Sequence, residues 1–464
     1  MDRRTFIAGS ATATAGALAV FGGATPSSAD DDDSAGRAGS EGDRVRSVTA
    51  ITQVFGDGQK LVAVAVEYDS VIDGSMLSTS TFAVADRTVT KVYANRTADL
   101  AQRGRNGRHV IVELSPDDTA AALWVTGLGS GTPPAAGSDS GSGDAGGSPG
   151  EGGPGVGDTT PGGTIVAAEA TLIQTGTVTT AHGIHYPADG TARTADAVVN
   201  LIVDDFRQLS FSDPATGQTL RYNLFVPKNY DHRKSYPMVL FMHDASVVNV
   251  ATEGPLVQGL GAVCWASPED QARHESFVLA PEYGSVVIDD NYEPSTLFEA
   301  TANLVRSVTH QYSIDRNRLY TTGQSMGAMM SLGLNISYPD LFAASFIVAG
   351  QWPQTQAAPL AREKLWILVS TDDTKAYPGE QAITEVIQDQ GTQVSTALWD
   401  GRSTAAEFAA DVRSMKSQRT PVNFAAFKTG TVVPSGSTTS AHMATWQIAY
   451  TIPGIRDWIM RQSL

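Results

Sequence analysis

Arg318-Leu319-Tyr320-Thr321-Thr322-Gly323-Gln324-Ser325-Met326-Gly327-Ala328-Met329-Met330-Ser331 reads as a short β-run, a turn, and the start of an Ala/Met/Leu-rich helix reaching about Ser337. The turn carries glycine on both sides of a serine. Strand, turn and helix in that order are the context a Gly-x-Ser-x-Gly nucleophile elbow needs. The glycines let the chain turn sharply and let neighbouring strands approach, while the serine hydroxyl stands clear. The helix start offers backbone N–H groups and the positive end of a dipole to a developing oxyanion. In a chain with 45 glycines the five-residue pattern alone also arises by chance, as a plain turn around an ordinary serine. The surrounding residues have to carry the assignment.

Working outward, a nucleophilic serine needs a base to accept its proton and a carboxylate to orient that base. On this scaffold they follow in the order Ser, then Asp or Glu, then His. Of the 8 histidines only His442 lies beyond Ser325. It sits in Ser440-Ala441-His442-Met443-Ala444-Thr445-Trp446, read as a loop opening the closing helix. Most lone loop histidines are bystanders; this one is the sole candidate in the right place. The apolar run Leu365-Trp366-Ile367-Leu368-Val369 ends in Ser370-Thr371-Asp372-Asp373-Thr374-Lys375. Two adjacent carboxylates therefore leave that strand, and the residues alone do not choose between them. An Asp-rich turn is the plainer reading.

The oxyanion needs the N–H of Met326 and a second one from the loop after the strand Val239-Leu240-Phe241-Met242. That loop is His243-Asp244-Ala245-Ser246, so Asp244 and Ala245 are the candidates and His243 is structural. There is no His-Glu-x-x-His, no clustered His/Cys spacing, and no Gly-rich loop ending in Lys-Ser/Thr. No metal or nucleotide cofactor is expected.

The chain has 464 residues, 41% of them hydrophobic, enough for a large core and more than one domain. A formal net charge of -17 argues against nucleic acid and anionic membrane as partners. The single cysteine, Cys264, excludes an intrachain disulfide and reads as a small buried hydrophobe. Residues 1–29 read as a twin-arginine export signal, with Arg3-Arg4 before a weakly apolar stretch and Pro26-Ser27-Ser28-Ala29 at the cleavage position. That stretch is too short and glycine-rich to span a membrane. Residues 30–44 are acidic, small and expected to be disordered.

Residues 45–128 carry β-branched runs separated by turn residues and no helical period, which predicts a small β-sandwich. Residues 129–163 are Gly/Ser/Pro-rich, either a linker or an inserted loop. Residues 164–203 are a β-rich connector that either completes the sandwich or begins the next domain. From 204 to 464 strands alternate with helices, predicting a mostly parallel sheet flanked on both faces.

The segments Tyr236–Asp244, Leu279–Tyr283, Ile314–Gly327, Tyr338–Ala344, Asp373–Ala376 and His442–Trp446 together resemble the esterases related to polyhydroxybutyrate depolymerases and feruloyl esterases. These form a branch of the α/β-hydrolases. The N-terminal half resembles, more loosely, the immunoglobulin-like domain that precedes some of them. The resemblance implies an α/β-hydrolase fold behind a β-sandwich, and a Ser325–His442–Asp373 triad. It is the Asp-x-Lys-Ala likeness that selects Asp373 over Asp372. Asp244 and Ala328 stand where many relatives have glycine.

The expected activity is therefore an exported serine hydrolase of carboxylic esters, small or polymeric, with no cofactor. A serine peptidase on the same fold and a binding protein that has lost its chemistry are the alternatives. Gln324, Trp352 and Trp446 are the candidates for substrate contact. With Asp244, Ala245 and Ala328, the two tryptophans are expected to narrow the site toward short acyl groups.

Overall fold

The computed structural model describes residues 44–127 and 162–464. The export signal, almost all of the acidic segment and the body of the Gly-rich stretch lie outside the described residues.

Val45–Phe55 turns through Gly56-Asp57 into Gly58–Ile72, a tight antiparallel hairpin. The sheet built on it runs Ala197–Asn200, Val45–Phe55, Gly58–Ile72, Gly107–Leu114 and Val89–Asn95 in spatial order. A second sheet holds Ala192–Thr194, Thr171–Gln174 and Phe82–Val84. Val64, Val66, Val110 and Val112 of the first share one core with Phe82, Val84 and Leu172 of the second. The alternate residues Ala63, Ala65 and Ile111 are buried on the opposite face, as a period of two requires. Of the strands the sequence left unassigned, Thr171–Gln174 and Ala197–Asn200 thus lie in this sandwich, whereas Thr219–Phe225 belongs to the larger sheet. Ala197–Asn200 pairs in parallel with Thr49–Thr52. Trp124–Thr126 pairs with Gly163–Ile165, so the described residues on either side of 128–161 meet.

The larger sheet has nine strands. Phe206–Ser212 and Thr219–Phe225 form an antiparallel edge. Then come Phe277–Glu282, Tyr236–Met242, Ile314–Gln324, Ala344–Val348, Leu365–Ser370, Val422–Phe427 and Val394–Trp399, all parallel. Every residue of Tyr236–Met242 is buried, as expected of a strand covered by helices on both faces. Helices Thr296–Gln311, Met326–Ser337, Ala376–Asp389, Ala405–Ser417 and Ala441–Ala449 provide that cover. Parallel strands present their carboxyl ends at one edge, where such sheets hold their ligands.

The sandwich is joined to this sheet by packing. Val54 and Trp124 belong to the hydrophobic core of the larger domain. At the hairpin tip, a Cβ on Gly56 would stand 2.1 Å from the carbonyl oxygen of Gln447 in helix Ala441–Ala449.

Candidate active site

Ser325 lies between strand Ile314–Gln324 and helix Met326–Ser337 with φ 51° and ψ −118°. Positive φ is unfavourable for a side-chain-bearing residue and is held only where the surroundings impose it. Here Ser325 N–H donates to Val348 O at 3.1 Å, and Ser325 O accepts from Met329 N–H at 3.0 Å. The flanking glycines do not share this conformation. Their contribution is room: a Cβ on Gly327 would meet Met242 O at 1.9 Å, and one on Gly323 would meet the Gly327 carbonyl carbon at 2.3 Å. The sharp turn is made by the serine, and the glycines let backbone touch backbone.

His442 lies in the first turn of helix Ala441–Ala449, not in a loop before it. Ser440 Oγ caps that helix by accepting Met443 N–H at 3.2 Å. His442 Nε2 is 2.8 Å from Ser325 Oγ, and its Nδ1 is 2.5 Å from Asp373 Oδ2. Asp373 Oδ1 in turn accepts N–H groups from Ala376 at 2.8 Å and Lys375 at 3.1 Å. Burial pushes the Asp373 carboxyl pKa up, but the hydrogen bond and charge of His442 and those two N–H groups outweigh it. The net shift is downward. Asp372 points elsewhere, its Oδ2 accepting Gly430 N–H at 2.6 Å.

Over Ser325 and His442 opens a cleft walled by Ile288, Asp290, Met326, Met329, Gln351 and Lys375. The carboxyl ends of the parallel strands Leu365–Ser370 and Ile314–Gln324 bring this set together.

Residues 47–187 match the family model for the esterase Ig-like N-terminal domain. The crystal structure of a thermostable esterase superposes with a TM-score of 0.73 at 26% identity, covering 90% of this chain and all (100%) of that one. This protein is an α/β-hydrolase with an N-terminal esterase immunoglobulin-like domain. Acetylxylan esterase A of Emericella nidulans is 47% identical over 96 residues, 17% of this chain and 32% of that protein. A probable acetylxylan esterase A of Aspergillus flavus is 47% identical over 49 residues, 11% of this chain and 16% of that protein. Poly(3-hydroxyalkanoate) depolymerase C of Paucimonas lemoignei is 24% identical over 177 residues, 36% of this chain and 40% of that protein. The chain thus spans well under half the length of these curated relatives.

In this α/β-hydrolase the remaining predicted site residues divide. Met326 opens the elbow helix and walls the cleft. Asp244 is buried, with Oδ1 accepting Ser246 N–H at 2.8 Å and Oδ2 accepting Gln324 Nε2–H at 2.7 Å. Ala245 begins the short 3-10 turn that Asp244 caps, and neither residue is in the cleft wall. Gln324 is spent on Asp244 and on Gln258 Oε1 at 3.2 Å, so it holds the elbow to its neighbours. Trp446 is buried edge-on against the His442 ring, centroids 5.0 Å apart. Trp352 packs on Tyr292 and donates to Gln356. Ala328 is buried against Gly350. Met326 apart, these residues support the site from behind, and the apolar walls are Ile288, Met326 and Met329.

His243 is fully buried, its Nδ1 2.7 Å from Asp244 O and its Nε2 accepting Tyr283 N–H at 3.1 Å. Burial, only partly countered by Asp244, brings its pKa down to about 4. It is a neutral structural group. Glu380, also fully buried, accepts Gly350 N–H at 2.9 Å on Oε1. Burial, and then the charge of Asp373, push its carboxyl pKa well up. Sequence reasoning missed Ile288, Asp290, Gln351 and Lys375 as cleft residues. Only Lys375 carried a signal, its place in Asp373-Thr374-Lys375-Ala376.

Proposed function

We propose that this α/β-hydrolase cleaves carboxylic esters through an acyl-enzyme on Ser325. The observation that carries the reading is the continuous contact from Ser325 Oγ to His442 Nε2 at 2.8 Å and from His442 Nδ1 to Asp373 Oδ2 at 2.5 Å. Ser325 Oγ attacks the ester carbonyl while His442 Nε2 takes its proton. Asp373 holds the Nδ1–H tautomer and stabilises the imidazolium. The oxyanion is received by Met326 N–H at the positive end of helix Met326–Ser337. We assign the second N–H to the backbone of the loop Asp244-Ala245, whose Asp244 side chain lies behind the site against Gln324. His442 then gives its proton to the departing alcohol, and water repeats the cycle on the acyl-enzyme. With Ile288 and Met329 as its walls, the cleft is assigned to short acyl groups.

Ser325→Ala tests this directly. It is expected to abolish labelling by a fluorophosphonate and to lower kcat on 4-nitrophenyl acetate by roughly 10⁴- to 10⁶-fold. More than a few per cent of residual turnover would show that another group is the nucleophile.

Export is the second part of the proposal, resting on Arg3-Arg4 and the small residues near Ala29. Among the described residues no helix is long and apolar enough to cross a membrane. Replacing both arginines with lysine is expected to leave uncleaved precursor inside the cell; normal secretion of that variant would refute this route.

A further inference from the structure

The side chains that wall the cleft beside Ser325 are apolar or already matched, with one exception. Asp290 is ion-paired with Lys375 and Asp373 with His442, and Ile288, Met326 and Met329 have no charge to match. Gln351 is the exception. Among the described residues its amide acts on one polar neighbour, the Tyr292 phenol. Burial pushes that phenol's pKa up, the charge of Asp290 adds to it, and the Gln351 amide works against both. An amide carries two N–H donors and two carbonyl lone pairs, so most of its capacity is unspent. The residue is only 5% exposed, yet its amide oxygen and nitrogen are not sealed off as Glu380 Oε2 is. What exposure it has is toward the cleft that it walls, so a molecule bound there reaches the amide.

The backbone is built to hold that amide in place. Ala349 is kept at φ 52°, a conformation unfavourable for a residue with a side chain, and its N–H donates to Leu368 O at 3.1 Å. Gly350 N–H donates to Glu380 Oε1 at 2.9 Å. A Cβ on Gly350 would stand 2.5 Å from that of Ala328 in the elbow helix, and one on Gly379 would stand 2.6 Å from Gln351 Cβ. The same stretch reaches the nucleophile, since Val348 O accepts Ser325 N–H. A polar group fixed in advance loses little entropy on binding and discriminates by what the ligand offers it.

A substrate that fills the cleft drives water from the amide. An alkyl chain then leaves its donors and acceptors unpaired, with their desolvation uncompensated. A neutral amide gives a charged group no countercharge, and the carboxylates of the cleft already have theirs. We propose that Gln351 is a specificity-determining residue whose amide binds a hydroxyl that the substrate carries within a few carbons of the scissile ester. A hydroxyl meets either edge of the amide, donating to Oε1 or accepting from Nε2–H. That hydroxyl belongs to the acyl part or to the alcohol part, and the test separates the two. This inference rests on the ester-hydrolase reading and names a substrate feature that reading leaves open.

Two pairs of esters, each differing by one hydroxyl, are compared by titrating released acid. Ethyl propanoate against ethyl 3-hydroxypropanoate reads the acyl side, and propyl acetate against 3-hydroxypropyl acetate reads the alcohol side. Each kcat/KM is divided by the ester's alkaline hydrolysis rate, which removes intrinsic reactivity. Wild type is expected to favour the hydroxylated member of one pair about ten- to a hundredfold, and that pair locates the hydroxyl. Gln351→Met keeps the stem that packs on Gly379 and removes the amide. It should bring the ratio to within about threefold of unity, and Gln351→Leu should do the same if the methionine variant does not fold. Simple damage to the cleft would lower both members of a pair alike and leave their ratio standing. No preference in either pair in wild type, or a preference that survives in a folded variant, overturns the assignment. Failure of wild type to react with a fluorophosphonate would instead strike at the ester reading itself, so the two failures are distinguishable.

Discussion

Two turns in this protein depend on the absence of a side chain, and only one announces itself. At the elbow, Gly327 lies against Met242 O and Gly323 against Gly327. At the tip of the sandwich hairpin, Gly56 lies as closely against Gln447 O, and a Cβ on Gly259 would stand 3.1 Å from Gly56 O. Neither Gly56 nor Gly327 has positive φ, so both are held by contact and not by conformation. The elbow glycines flank a serine, and their spacing is a recognisable pattern. Gly56 sits in Phe55-Gly56-Asp57-Gly58 and reads as hairpin-turn glycine, because its neighbour comes from the other end of the chain. The same physical constraint is visible when its partners are close in sequence and silent when they are distant.

The tip has a line to the chemistry. Gln447 shares helix Ala441–Ala449 with His442. Gly259 adjoins Gln258, whose Oε1 accepts from Gln324, the residue before Ser325. The sandwich therefore bears on the elements that carry both the proposed base and the proposed nucleophile.

The contrast can be broken in order of size. Asp373→Asn is expected to lower kcat by about 10⁴-fold, the cost of the wrong imidazole tautomer, whereas Asp372→Asn should change it less than about threefold. The reverse ranking in an ester assay would move the acid by one residue. Gly327→Ala forces a methyl group into the backbone of strand Tyr236–Met242. A loss of roughly a hundredfold in kcat, with a lowered Tm, is expected from overpacking at that point. Gly56→Ala sharpens the comparison: kcat should fall about tenfold with KM within about twofold, because the base shifts while the cleft does not. Unchanged kcat in a folded Gly56→Ala protein would reduce the tip to simple packing.

The smallest effect concerns Glu380. Its folded-state pKa lies above the usual 4.5, so the native protein holds a proton there that the unfolded chain releases. Stability from this group is full below about pH 4.5 and is lost as pH rises toward the folded pKa. Glu380→Gln keeps an acceptor for Gly350 N–H and removes the titration. The variant's Tm should fall less than that of wild type between pH 5 and pH 8, and parallel Tm curves would show that Glu380 does not titrate in that range.

The elbow strand and helix, the buried strand ending at Met242 and the helix Thr296–Gln311 were all legible, since each carries its own period or apolar run. Strand Val422–Phe427 was harder to see because Asn423 and two alanines interrupt its apolar run. The proposed order of serine, carboxylate and histidine could also be read along the chain, but the choice of Asp373 over Asp372 came from the resemblance alone.

What the residues by themselves determined was a mostly parallel sheet flanked by helices behind a β-rich domain, and a short roster of chemical groups. Local physics acts there: periodicity, turn chemistry and the need for glycine beside a serine. Tertiary structure alone decided the destinations of side chains. Gln324 goes to Asp244, Trp446 backs the imidazole, and Ile288, Asp290 and Lys375 wall the cleft. It also decided that strands Thr171–Gln174 and Ala197–Asn200 return to the sandwich. Those outcomes depend on which surfaces meet across long stretches of chain, and a contact between distant residues leaves no period in either of them.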